Sequence, residues 1–409
     1  MKFESKAIHS GFSQDPKHGA TAVPVFQTAS YAFSTAQELA DVFEGHKFGH
    51  VYSRISNPTV SAFESRITEL ENGLGSVAVA SGMAAIATAI YALTASGDEI
   101  ISSTNLFGGT FHFFEDMARF GVSTRYVDIH SPLKIKQAIT DKTKLIFFET
   151  IGNPKLDVPN MKAIVEIANE ANIPVVVDST LTSPYLFQAK KWGVHVVVHS
   201  ATKYIGIGGT TIGGIIVDLG TFKWRNARSE AVRESAQKAG HFGFISQIRQ
   251  RILTNTGNIL APFNAFLFSL GLETLSLRLD KQCQNALELA QFLGSHSKVS
   301  KVTYPGLENN PYHELAKAQF EGQFGALLTF ECPTKEACFH CIDHLKMIKN
   351  MTSLGDSKTM VIHPDSTIYR TCSPEQKEAA GVNDRLIRVS VGLEHFSDII
   401  NDFNQALSA

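Results

Sequence analysis

The chain has 409 residues, 44% of them hydrophobic and 19% charged, with a formal net charge of -2. That composition excludes a disordered chain, and a balanced charge without a basic stripe argues against nucleic acid as a partner. Five cysteines, an odd number and irregularly placed, do not make the framework of a disulfide-stapled secreted domain.

The length fits two domains after an N-terminal arm. The start, Met1-Lys2-Phe3-Glu4-Ser5-Lys6, has no apolar signal core, so a cytoplasmic protein is expected. Residues 1–59 lack strong periodicity and read as an extended arm with a short helix near Ala36–Phe43. Tyr52 and Arg54 lie in this arm. A guanidinium suits a phosphate through its planar fork, although spacing alone favours a solvated loop arginine.

Asn72 to Gly97 contains no charged residue and is long enough to span a bilayer. Its glycines and serines instead predict a strand over Gly75–Ala80, a tight turn at Ser81-Gly82 and a helix from Met83 onward. A helix N-terminus with a glycine lets an anion approach free backbone N–H groups, so Ser81, Gly82 and Met83 are candidate phosphate ligands. An ordinary strand-to-helix turn would look the same.

From Val60 to about Val217 strands alternate with helical stretches. The predicted strands are Ser76–Val79, Glu99–Ser102, Ser123–Val127, Leu145–Glu149, Val175–Asp178, Val194–Val198 and Gly213–Val217. Such alternation predicts an α/β domain over residues 60–258 with a mostly parallel sheet, whose ligands bind outside the carboxyl ends of the strands. Two such ends carry chemistry. Val175-Val176-Val177 ends in Asp178, and Val196-Val197-Val198 runs through His199 and Ser200 to Thr202 and Lys203. A lysine beside low-dielectric surroundings favours its neutral amine, which can form a Schiff base with an aldehyde. Ser200 and Thr202 offer hydroxyls to a phosphate, and Asp178 could hold a protonated pyridine nitrogen. Lysine, acid and hydroxyls together form the signature of pyridoxal phosphate chemistry. His199 reads as a packed core histidine.

A long helix is expected over about Ile259–Leu293, opening a C-terminal α+β domain over residues 259–409. Strands are expected at Gly325–Glu331 and Leu386–Ser390, and helices at Lys335–His344 and Ser397–Leu407. Arg388, flanked by apolar residues in its strand, either faces water or clamps a substrate carboxylate. Cys338, Cys341 and His344 resemble metal-ligand spacing, but they follow helical spacing, and no metal site is expected there.

Taken together, the segments YSRISNPT (Tyr52–Thr59), SGMA (Ser81–Ala84), ETIGNP (Glu149–Pro154), VVDST (Val176–Thr180), HSATKY (His199–Tyr204), SLGDSKTMVIHP (Ser353–Pro364) and LIRVSVGLEH (Leu386–His395) resemble the PLP-dependent transsulfuration enzymes of Cys/Met metabolism. The resemblance covers nearly the whole chain and is strongest to the O-acetylhomoserine sulfhydrylase branch. It implies a large domain like that of aspartate aminotransferase and a homotetramer built from dimers. It implies that Lys203 binds the cofactor covalently and that Asp178 holds the pyridine nitrogen. Ser81, Gly82, Met83, Ser200 and Thr202 would hold the phosphate, with Tyr52 and Arg54 reaching that of the neighbouring subunit. Asn153 would contact cofactor or substrate, and Arg388, helped by Ser353, would clamp the substrate carboxylate. The implied reaction is γ-replacement on O-acetyl-L-homoserine by sulfide or a small thiol, giving homocysteine or methionine. Methionine γ-lyase and cystathionine γ-synthase activities remain open as alternatives.

Three departures from the family pattern matter. Phe107 stands where the family usually has a tyrosine over the cofactor ring; it can stack but not donate a proton, so any leaving-group role of that hydroxyl is either dropped or moved, with Tyr52 as the candidate. Gly109 stands where γ-lyases usually carry cysteine, which counts against elimination. Ile207-Gly208-Gly209-Thr210 replaces the usual Gly-His-Gly-Thr, which leaves that loop's shape open.

Overall fold

The structure, a computed structural model, describes residues 1–14 and 18–409. Strands β1 (Gly75–Val79), β2 (Glu99–Ser103), β3 (Ser123–Val127), β4 (Thr143–Glu149), β5 (Val175–Asp178), β6 (Val196–Ser200) and β7 (Gly214–Asp218) form one sheet, in the order β1-β7-β6-β5-β4-β2-β3. Only β7 runs antiparallel to its neighbours; every other pairing is parallel. This is the expected α/β, mostly parallel sheet.

Its central strands β4, β5 and β6 are apolar on both faces because both faces are covered. Alternate residues divide between two core clusters, as a period of two demands. Ile146, Phe148, Val175, Val177 and Val197 face one cluster, and Leu145, Phe147, Val176, Val196 and Val198 the other. The first cluster runs without a break into the C-terminal region through Phe268, Leu279, Phe330 and Val389. The two halves therefore share a core.

The uncharged stretch 72–97 holds β1 and the helix Gly82–Leu93, whose N-cap Ser81 accepts from the Ala84 amide. Among the described residues no helix is long and apolar enough to cross a membrane. Strand β6 begins two residues later than predicted and continues through His199 and Ser200. It does so because β7 pairs with it as far as Ser200 opposite Gly214. A turn follows, closed by Lys203 N–H donating to Ser200 O (3.2 Å) and Gly206 N–H to Ala201 O (2.8 Å). That turn presents Lys203 to the cavity beyond the strand end.

The expected continuous helix over 259–293 is two helices, Pro262–Glu273 and Leu275–Ser295, broken at Thr274. Arg278 accounts for the break. Its guanidinium takes the Gly271 carbonyl (2.7 Å) and the Tyr204 carbonyl (2.9 Å), and its Nε donates to Thr274 Oγ1 (3.2 Å). Gly271 has no room for a side chain, since a Cβ would stand 2.3 Å from Ile205 O. The break thus docks the helix pair onto the turn that carries Lys203.

The smaller sheet comprises β8 (Lys301–Thr303), β9 (Leu327–Glu331), β10 (Lys349–Asn350), β11 (Met360–Ile362) and β12 (Leu386–Ser390), in the order β10-β11-β12-β9-β8. Its unpredicted members are two or three residues long, too short to show a period. The helix Glu230–Ala239 was also unpredicted: only Val232 and Ala236 are buried in a segment otherwise rich in polar residues. Replacing Ile146, fully buried in β4, with alanine should cost about 2–5 kcal/mol. The urea midpoint would fall while the far-ultraviolet circular dichroism of the native state stays the same.

Candidate active site

Strands β4, β5 and β6 run parallel, so their carboxyl ends share one edge, and Glu149, Asp178 and Ser200 stand at those ends. Central strand β12 brings Arg388 to the same place from the smaller sheet. Between them lies a cavity of about 270 Å³. It is lined by Ser81, Gly82, Met83, Phe107, Asn153, Asp178, Ser200, Thr202, Lys203, Ser353 and Arg388. Eleven of the thirteen residues singled out from the sequence thus meet in one place, drawn from segments over 300 residues apart in the chain.

Lys203 Nζ donates to Ser353 Oγ at 3.2 Å. Burial, reinforced by the charge of Arg388, holds its pKa below the ordinary lysine value. The sheet settles the open question on Arg388, which is buried and does not face water. Its Nη1 donates to Asn153 Oδ1 (3.1 Å) and its Nη2 to Ser353 O (3.0 Å). Its Nε is buried without a partner. Burial pushes the guanidinium down to about 10, which leaves it charged at neutral pH.

Burial pushes the Asp178 carboxyl upward, opposed by the hydroxyl and amide of Thr180 and the charge of His199. The Thr180 amide donates to Asp178 Oδ1 at 2.9 Å. Glu149 lines the same cavity. Burial and then the charge of Asp178 push it well above the usual carboxylate range. Two interacting carboxyls in one apolar cavity share a proton most cheaply when one stays neutral. Burial pushes both carboxyls upward, and at Glu149 the charge of Asp178 adds to it. Glu149 and Thr180 carried no assigned role in the sequence reading; the signal available was a carboxylate ending the β4 apolar run, parallel to Asp178. His199 is a core residue: Nδ1 meets Ser179 O (3.2 Å) and Nε2 meets Glu71 Oε1 (2.6 Å).

The first amides of the helix Gly82–Leu93 have no intrahelical partner. Ser81 caps that of Ala84 at 3.0 Å, which leaves those of Gly82 and Met83 at the cavity edge. A Cβ at Gly82 would stand 2.5 Å from Ser200 Cβ, so only glycine allows Ser200 and the helix start to converge. Thr202 is less available than its neighbours. Its hydroxyl donates to Gly213 O (3.2 Å) and accepts from Gly213 N (3.1 Å).

The Phe107 ring lies over Gly109, where a Cβ would meet Phe107 Cε1 at 2.6 Å. Two of the family departures are therefore one feature: this ring position requires glycine at 109. In the third, Gly208 and Gly209 both adopt positive φ, and a Cβ at Gly209 would meet Asp356 Oδ2 at 2.5 Å. The loop packs on the smaller domain instead of presenting a side chain.

Tyr52 and Arg54 do not reach this chain's cavity. They lie together in the arm, with the Arg54 guanidinium 5.1 Å from the Tyr52 ring centroid and Tyr52 exposed. Cys338 and Cys341 are buried in the helix Lys335–His344, with the Cys338 thiol on Arg385 O at 3.0 Å.

A desolvated amine, a carboxyl on the next strand and a glycine-lined helix start fit pyridoxal phosphate. The unpartnered Nε of Arg388 fits an α-carboxylate beside it. A lysine and an acid on adjacent parallel strand ends, capped by a second sheet, define a PLP-dependent enzyme of fold type I, with the large domain of the aspartate aminotransferase kind. The chain belongs to the Cys/Met metabolism PLP-dependent enzymes, whose family model matches residues 4–408. It is 39% identical to the homocysteine/cysteine synthase of Saccharomyces cerevisiae over 99% of this chain and 97% of that one. It is 38% identical to O-acetyl-L-homoserine sulfhydrylase 1 of Thermus thermophilus over the full length of both. A crystal structure from Campylobacter jejuni that carries an N'-pyridoxyl-lysine-5'-monophosphate superposes with a TM-score of 0.95, at 34% identity and full coverage of both chains.

The depressed lysine has a measurable consequence. Capture of pyridoxal phosphate by the apoprotein should rise with pH as the amine loses its proton, with a midpoint below that of an ordinary lysine. Arg388→Gln removes the second cause of the depression, so the midpoint should move upward. Stopped-flow absorbance of cofactor uptake against pH checks both.

Proposed function

We propose that the protein catalyses γ-replacement on O-acetyl-L-homoserine by sulfide or a small thiol, releasing acetate and giving homocysteine or methionine. The observation that carries this reading is the convergence of Lys203, Asp178 and Arg388 on one cavity in a chain matching sulfhydrylases along their whole length.

When bound, pyridoxal phosphate supplies an aldehyde for amines and a ring that accepts the electrons of a substrate carbanion. Lys203 holds it and, once displaced by the substrate amine, carries protons from Cα to the neighbouring carbons as a general base and acid. Its lowered pKa favours the base form. Asp178 would hold the pyridine nitrogen of the bound cofactor. Ser81, the amides of Gly82 and Met83, and Ser200 hold the phosphate, with Thr202 accepting at most one further contact. Phe107 covers a ring face without donating a proton. Arg388 grips the substrate carboxylate through Nε, with Asn153 and Ser353 fixing its fork.

Acid assistance to the departing acetate needs a hydroxyl that Phe107 lacks. We assign it to Tyr52 of a neighbouring subunit, whose Arg54 also reaches the phosphate. The exposed arm residues Phe43 and Phe48, 70% and 86% accessible, support an arm that packs on another copy. The site is then complete only in a dimer, and two dimers form a tetramer. With no basic stripe and five free cysteines, the expected setting is the cytoplasm, without nucleic acid or membrane.

The purified protein given O-acetyl-L-homoserine and sulfide should form homocysteine in a sulfide-dependent way, followed by mass. Oxo acid and ammonia forming at the same rate without sulfide would replace this reading by γ-elimination. Lys203→Ala should lose at least about a thousandfold in turnover, because covalent and proton-transfer roles vanish together. Retained turnover would remove Lys203 from the mechanism.

A further inference from the structure

The two backbone segments that carry Phe107 and Asn153 are tied to each other three times. Asn105 Nδ2 donates to Asp157 Oδ1, across a Gly152 that leaves no room for a Cβ. Glu149 Oε1 accepts from the Phe107 amide at 2.6 Å. The third tie comes from the other domain. The Tyr369 hydroxyl lies 2.8 Å from Asn153 O and 3.2 Å from Leu106 O, so its single proton is shared between the two carbonyls.

Tyr369 is 3% exposed, and its ring packs with Ala380 and Val382 in a small cluster of its own. It does not line the catalytic cavity. It lines a second cavity of about 380 Å³, with Leu106, Gly108 and Phe111, on the far side of the Phe107 segment. Tyr369 is thus part of the wall behind that segment. The preceding residue, Ile368, faces the catalytic cavity, and a Cβ at Gly108 would stand 3.4 Å from Ile368 O. The segment around Tyr369 therefore sits directly against the start of the Phe107 helix.

We propose that Tyr369 is a positioning residue: its hydroxyl fastens the main chain beside Phe107 to the main chain of Asn153, and so holds the covering ring and the Arg388 clamp in one register. Two links transmit this. The Leu106 carbonyl immediately precedes Phe107, whose ring position is already tight against Gly109. The Asn153 carbonyl belongs to the residue whose side chain receives Arg388 Nη1. The other two ties are internal to the larger domain. Tyr369 joins both segments to the domain that supplies Arg388, whose own guanidinium bonds the Asn153 side chain. Burial lifts its phenol far above the ordinary tyrosine range, so it is no proton donor to substrate.

The inference rests on the proposed sulfhydrylase reading for its kinetic test and is independent of it for the structural one. Tyr369→Phe keeps the packed ring and removes one hydroxyl. In the holoprotein, hydrogen exchange of peptides 104–110 and 150–156 should quicken. KM for O-acetyl-L-homoserine should rise about fivefold, the worth of one neutral hydrogen bond, with kcat changed less than about twofold and its pH profile unmoved. Val382→Ala thins the same cluster without touching the hydroxyl, so it should lower the melting temperature and leave KM alone. Unchanged exchange and KM in Tyr369→Phe would overturn the proposal, as would a KM shift of equal size in Val382→Ala. A fall in kcat with an altered pH profile would also overturn it, making Tyr369 a proton donor.

Should Tyr369→Phe fail to fold, the wild-type holoprotein still decides. Peptides 104–110 and 366–372 should lose protection at the same urea concentration, and separate transitions would overturn the tie. A wild type that makes no homocysteine would dismiss the sulfhydrylase reading while the exchange data still judged Tyr369.

Discussion

Burial of Lys203 beside the permanent charge of Arg388 is the constraint on which the site depends. Two cations this close in a poorly hydrated cavity are costly unless one gives up its proton. Arginine cannot readily do so, so the cost falls on the lysine, whose pKa is lowered. A neutral amine is the form that attacks an aldehyde, so the electrostatic cost of burial shifts Lys203 toward its reactive state. The carboxyls face the mirror-image problem. Burial pushes Glu149 and Asp178 upward, and the charge of Asp178 adds to the shift at Glu149.

The fold arranges these pairs by two devices. Parallel strands β4, β5 and β6 deliver their carboxyl ends to one edge, so residues at the exits of successive strands become neighbours. The smaller sheet then closes over that edge, with β12 as its middle strand and Arg388 buried among apolar residues. A continuous core joins the two sheets, and the break at Thr274 exists because Arg278 prefers the carbonyls around the lysine turn to those of its own helix. Glycines at 82, 109 and 271 mark where main chain or ring comes closer than a Cβ would allow.

Phe107 and Gly109 show how two departures from a family pattern act as one. The ring occupies the space that a side chain at 109 would need, so in this position it depends on glycine there. Without that hydroxyl the ring cannot donate a proton, and the proposed donor is Tyr52, which with Arg54 does not line this chain's own cavity. Association and chemistry are coupled in this reading.

Much of the site was legible in the sequence because its residues follow buried strands, whose period and apolar runs are local signals. Asp178 and Lys203 end such runs, Ser81 and Gly82 open a helix, and Arg388 is conspicuous among Val389, Ile387 and Leu386. Tyr52 and Arg54, by contrast, had no local signal and came from the resemblance alone. Glu149, Thr180 and Tyr369 were missed as participants because their roles consist of bonds to segments distant in the chain. The same holds for the break at Thr274, which a guanidinium four residues further on imposes, and for strands of two or three residues that exist only because a partner pairs with them. The sequence by itself determined the alternating α/β order, the strand faces and the cofactor chemistry, since these rest on local periodicity and residue type. Only the tertiary structure decided whether Arg388 faced water or the site, which carboxyls are pushed upward and what holds Phe107, because burial and charge coupling depend on neighbours that the chain brings together only on folding.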